Sequence, residues 1–236
     1  QFTPTQDFYS PFQSVGSRGV NNLASKLLLL LLPPNQPFFR LAIQGKAKEQ
    51  VEERPELKTL IEKSLAKIER DVMGKIESLA IRVPIFEAIK HLIVGGNVLC
   101  HLPKKGSMRV FPLNQYVCKR DGDGNLLEIV VKESVSVLGL EPEIRDLVLQ
   151  KMSKEDAKSD TSCDLYTHIY KLDNKKFYVC QEVKGIKIPS SIGEHNEDQL
   201  PWLCLRMIRV DAEDYGRSYV EEIIGDLKSL EGLSQA

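Results

Sequence analysis

The chain has 236 residues, of which 42% are apolar and 28% charged, the mixture of an ordinary globular protein. That length suits one or two domains with a large core and excludes disorder, collagen and a coiled-coil rod as descriptions of the whole. With 32 basic and 33 acidic residues the net charge is −1, so no bulk positive field holds nucleic acid by charge alone.

The first predicted helix begins at Ser10 as cap, with Pro11 at its first position and Gln13 three residues after the cap, a capping box with proline at N1. Phe12, Val15, Val20, Leu23, Leu27, Leu30 and Leu31 recur at helical steps, and Pro33-Pro34 stops the run. Gly16 and Gly19 lie inside this helix. Each costs about 1 kcal/mol against alanine, which close approach of another backbone would offset. The helix is expected to pack inside its own subunit. Leu41 and Ile43 suggest a short strand.

Pro55 opens a second helix of about 25 residues with Leu57, Leu60, Ile61, Leu65, Ile68, Val72, Ile76 and Leu79 as one apolar stripe. A third helix is predicted from Pro84 to Val94, ended by Gly95-Gly96-Asn97. Short strands follow at Val98–Leu102, Arg109–Phe111, Tyr116–Arg120 and Leu126–Lys132, the last two joined by the turn Asp121-Gly122-Asp123-Gly124-Asn125. Glu141–Met152 suggests a helix and Ser153–Ser162 a polar outer loop. A hairpin is predicted from Leu165–Leu172 and Lys176–Val183, then a loop at Ser190–Gln199 and an apolar strand at Trp202–Val210. Asp211–Tyr215 is an acidic linker. Ser218, with Glu221 three residues on, caps a last helix carrying Tyr219, Ile223, Leu227 and Leu230. The fold class is therefore α+β.

Five dispersed cysteines, an odd number, argue against a disulfide framework and for a reducing compartment. No signal-peptide pattern opens the chain. The six leucines from Leu27 to Leu32 are too few for a membrane span, which takes about 20 apolar residues.

Motifs for chemistry fail one by one. The Asp121–Asn125 stretch begins like a calcium loop, but Leu126 and Lys132 stand where that loop needs glycine and glutamate. Leu127 breaks the dinucleotide-binding pattern. Arg40 and Ala47 break a phosphate-binding loop at Gly45-Lys46. Cys163 with His168, and Cys100 beside His101, lack the second cysteine pair of a zinc set. His168 alternates with Tyr166 and Tyr170 along one strand face, a surface or packing pattern.

Charge is unevenly spread. Residues 1–40 carry Arg18, Lys26 and Arg40 against Asp7, a net +2. Residues 211–236 carry seven acids against Arg217 and Lys228, a net −5.

The run from Pro11 to Leu27 (PFQSVGSRGVNNLASKL) closely resembles the head-to-tail connector, or portal, of short-tailed phages. So do Phe86-Glu87-Ala88, Gly96-Asn97-Val98-Leu99, Tyr166–Tyr170 and Tyr215-Gly216-Arg217-Ser218-Tyr219-Val220-Glu221-Glu222, in the same order along nearly the whole chain. The resemblance implies a non-enzymatic subunit of a ring, usually of twelve copies, at one capsid vertex. Double-stranded DNA passes through such a ring during packaging and ejection. The implied partners are the terminase motor, tail adaptor proteins, and capsid and scaffolding proteins. No cofactor, metal or membrane is implied.

On that resemblance residues 1–210 correspond to the wing, and 211–236 to a linker and the start of the stem helix, capped by Ser218 and Glu221. The clip, the returning stem helix and the crown are expected beyond Ala236, and some sequence before Gln1. Lys228, Glu222 and Asp226 are candidates to face the channel, where a net-acidic wall would let DNA slide and Lys228 would give a weak ring of phosphate contacts. Alternatively Lys228 faces solvent or pairs with Glu231. Two rival functions are a Mg²⁺-dependent nucleic-acid-processing enzyme using Glu221, Glu222 and Asp226, and a monomeric binding module.

Overall fold

Eight strands and five α-helices make up the described part of the chain. The structure, a computed structural model, describes residues 10–34, 36–45, 54–104, 106–151, 162–172 and 175–236. The expected loop at 153–161 and the tip of the predicted hairpin at 173–174 lie outside these residues. In chain order the elements are α1 (Val15–Leu31), α2 (Pro55–Ser78), α3 (Arg82–Gly95), β1 (Asn97–His101), β2 (Arg109–Phe111), β3 (Tyr116–Arg120), β4 (Leu126–Ser136), α4 (Pro142–Lys151), β5 (Ser162–Lys171), β6 (Lys176–Val183), β7 (Ile186–Asn196), β8 (Trp202–Arg206) and α5 (Tyr219–Gln235).

The chain divides into two units. One comprises residues 1–94, 104–108 and 219–236; the other comprises 95–103 and 109–218.

The second unit holds both sheets. One is three-stranded in the order β2-β1-β8; the other is an antiparallel meander of five strands in chain order from β3 to β7. Alternation sets the faces. Ile129, Val131 and Ile169 turn inward and are fully buried with Phe177, Leu99, Phe111 and Trp202 in one core. Each such side chain stabilises by about 1.5–3 kcal/mol relative to exposure. The outward face of the meander carries the Tyr166–His168–Tyr170 row, where His168 meets Glu128 at 2.6 Å and its ring lies 4.8 Å from that of Tyr170. A second core forms where Ile144 and Val148 of α4 pack on Val137, Cys163, Val183 and Ile188.

In the first unit Ala24 of α1 is fully buried against Ile89 and Ile93 of α3, with Val220 of α5 packed alongside. The apolar stripe of α2 is real, yet no residue of that helix is buried.

Four expectations are corrected. Helix α1 starts at Val15, and the Gln13 side chain accepts the Val15 N–H at 2.8 Å, so Ser10 and Pro11 stand outside it. Residues 41–43 form no strand; the Leu41 N–H instead donates to the Glu69 carboxylate of α2 at 2.6 Å. Residues 190–196 belong to strand β7, not to a loop. Pro189 and Gly193 disguise it, but β7 is an edge strand, where proline is tolerated. Strand β8 ends at Arg206, four residues early; after Met207 donates to the Gly96 carbonyl at 2.8 Å, Ile208 pairs instead with Arg217, at 3.0 and 3.2 Å.

Candidate functional site

The last helix follows a knot of backbone built in the sheet-bearing unit. Asn97 is 4% exposed. Its side-chain oxygen accepts the Gly216 N–H at 2.7 Å, and its amide donates to the Gly216 carbonyl at 2.8 Å and to the Gly95 carbonyl at 3.0 Å. Gly96 has φ +68°, and a Cβ there would sit 2.6 Å from the Arg217 carbonyl carbon. A Cβ on Gly216 would meet Arg206 and the Ile208 carbonyl at 2.8 Å. Glycine is required at both positions because two backbones touch. The segments Gly96-Asn97 and Tyr215-Gly216-Arg217-Ser218, 119 residues apart at their Asn97–Gly216 bonds, thus act as one feature.

The acidic stretch before the helix is tied down at Glu213, Asp214 and Tyr215. Arg120 donates to the carbonyls of Asp214, Gly124 and Cys204 at 3.1, 3.0 and 2.9 Å. The Asp214 carboxylate accepts the Arg120 N–H at 2.6 Å, and the Tyr215 hydroxyl accepts the Cys118 N–H at 3.1 Å. Arg206 donates to the Glu213 carbonyl at 2.9 Å. Guanidinium forks suit this work because they are planar, always charged and rich in donors.

Beside this staple, Cys204 and Cys118 share a hydrogen bond. The Cys118 thiol and then the Arg120 guanidinium hold the Cys204 thiol down to about 7, while the same bond and burial push Cys118 up. His101 stacks on Trp202 with ring centroids 3.9 Å apart. Burial, and then the positive charge of Arg109, lower its pKa to about 4.

Ser218 is fully buried and immediately precedes the first helical residue, Tyr219, with Glu221 and Glu222 in the first turn, where acids complement the helix dipole. Along α5, Val220, Leu227, Leu230 and Glu231 turn inward, and the Glu231 carboxylate accepts the Phe12 N–H at 2.7 Å. The expected channel-facing residues are all exposed but do not share a face. Glu222 and Asp226, four apart, occupy one flank. Lys228 falls roughly 120–160° around the helix from them, on the flank of Glu221. The three carboxylates of the rival metal reading therefore do not converge. Among the described residues no three His, Cys, Asp or Glu side chains come together in a way that could hold a metal ion, and no helix is long and apolar enough to cross a membrane. Sequence reasoning missed the roles of Asn97, Gly216 and Arg120. Only the Gly95-Gly96-Asn97 run at the first crossing segment could have signalled the knot; the second carries a single glycine, Gly216.

Comparison with known proteins supplies the frame. The family model described as bacteriophage head to tail connecting protein matches residues 4–236. The portal protein of Escherichia phage T7 is 40% identical over 98% of this chain, and that of Enterobacteria phage T3 is 40% identical over 98%. The portal protein of Enterobacteria phage SP6 is 31% identical over 95%. The chain spans 44%, 43% and 44% of the lengths of these relatives.

Proposed function

Because the chain belongs to the bacteriophage head to tail connecting proteins, the structural portal proteins of short-tailed phages, we propose that it supplies the wing and the start of the stem of a portal subunit. Copies join in a ring, of twelve by family expectation, at one capsid vertex after assembly in the host cytoplasm. Double-stranded DNA enters and leaves through the ring. The terminase motor, tail adaptors, capsid and scaffolding proteins are its partners, and the subunit itself carries no catalytic residue. The match over residues 4–236 carries this reading.

The geometry of α5 supports a conduit and not a binder. Of its four exposed charged residues three are acidic, Glu221, Glu222 and Asp226 against Lys228, so its net charge repels phosphate. Lys228 is the residue we assign to the channel wall, beside Glu221 and one flank away from Glu222 and Asp226. One lysine per subunit gives weak, transient phosphate contacts.

Electron microscopy of the complete protein tests the reading. A ring with an axial hole is expected, and compact single particles would remove it. Within assembled particles, Lys228→Ala should alter DNA retention or translocation while leaving thermal stability unchanged. Packaging and retention equal to the parent would cancel the assignment of Lys228.

A further inference from the structure

We propose that the exposed row of α1 in one copy of this chain seats on the Glu222–Asp226 flank of α5 in the next copy, head to tail. This rests on the ring reading above and names the faces that close the ring.

The inner faces of both helices are already used. Gly16 of α1 is where Leu227 of α5 comes within 3.6 Å of a would-be Cβ, and Ala24 is sealed against α3. What remains on α1 is a shallow depression lined by Val15, Arg18, Gly19, Asn22, Leu23 and Lys26. Arg18, Asn22 and Lys26 recur every four residues along about 12 Å of helix. No acidic residue occurs anywhere in Val15–Leu31. A Cβ on Gly19 would meet nothing within 4 Å, so this glycine opens the surface to a partner backbone. Val15 is 56% and Leu29 55% exposed on the same side.

The α5 flank is its counterpart. Glu222 and Asp226 stand one turn apart, with Ser229 and Leu233 continuing the row and Leu233 77% exposed. Gly225 borders this flank on the side of Glu221, and it too has nothing within 4 Å of a would-be Cβ. Each surface therefore offers charge of one sign, an open glycine and an apolar border. Pairing either row with itself would oppose like charges. A head-to-tail contact between copies brings Arg18 and Lys26 against Glu222 and Asp226, and a heterologous contact of that kind builds a ring when its rotation closes.

The test uses the full chain carrying two charge reversals, Arg18→Glu with Lys26→Glu, and Glu222→Lys with Asp226→Lys. All four side chains are exposed, and circular dichroism spectra matching the parent's are required of each variant before assembly is measured. Each variant alone should lose about tenfold in assembled fraction by sedimentation at low salt. An equimolar mixture should recover to about twofold of the parent, because alternating subunits restore every opposite-charge contact. High salt should narrow the difference. Assembly of both single variants at the parent level, or no recovery on mixing, overturns the proposal. Recovery in the fourfold variant but not in the mixture would put the pairing inside one chain and also overturn it. Intact rings that lose DNA on reversal of α1 would give that row to nucleic acid and likewise overturn the contact between copies. A parent that never forms rings is a separate result and removes the portal reading itself.

Discussion

Asn97 holds both backbone groups of Gly216, accepting its N–H at 2.7 Å and donating to its carbonyl at 2.8 Å across 119 residues of sequence. One buried side chain thereby fixes the point from which the chain runs on to Ser218 and the last helix. Asn97→Ala strips this clamp and leaves buried backbone donors and acceptors unmatched. A loss of about 2–4 kcal/mol in urea unfolding is expected. Asn97→Asp, which keeps the acceptor but not the donor, should recover only part of it. A loss below about 0.5 kcal/mol for Asn97→Ala would show the clamp to be incidental.

Two glycine substitutions should behave in opposite ways. Gly96→Ala forces a Cβ to 2.6 Å from the Arg217 backbone at φ +68°, and a destabilisation above about 2 kcal/mol is expected. Gly74→Ala, inside α2 with open space around it, should stabilise by about 0.5–1 kcal/mol. Thermal melts of the two variants beside the parent decide the matter; equal shifts would refute the backbone-contact argument.

Acid should act through His101. Its folded pKa, about 4, lies below the ordinary 6.5, so the folded protein favours the neutral ring. The stabilisation is fully present above pH 6.5 and is lost as pH falls toward 4. For a half-buried ring next to solvent this amounts to about 1–2 kcal/mol. His101→Phe keeps an aromatic ring for the Trp202 stack and removes the titration. The fall in melting temperature between about pH 7 and about pH 4.5 should be smaller in this variant than in the parent, and identical falls would count against it.

Cys204 should be the fastest of the five thiols to alkylate near neutral pH, with half-maximal rate near pH 7. Cys118→Ala removes the hydrogen bond that contributes most to this shift and should move the midpoint upward. Arg120→Met should move it less. Peptide mapping after brief iodoacetamide treatment measures both, and an unmoved midpoint in Cys118→Ala would dismiss the shared proton.

The sequence by itself determined the α+β class, the positions of α2, α3, β2, β3, β6 and α5 to within about two residues, and the family. Those features are written locally, in 3.6- and 2-residue periods, in proline and glycine stops, and in contiguous runs such as Pro11–Leu27. It misjudged β7, because an edge strand tolerates Pro189 where a central one would not. Nor could composition show Arg120 reaching across from β3 to hold Asp214 in the Asp211–Tyr215 stretch. Tertiary structure alone decided that Gly96-Asn97 and Gly216 form one knot, and that Val220, Leu227, Leu230 and Glu231 make up the inward face of α5. The physical reason is the same in each case. A hydrogen bond spanning 119 residues, or a helix face chosen by what packs behind it, depends on where distant segments meet, and no window of neighbouring residues contains that information.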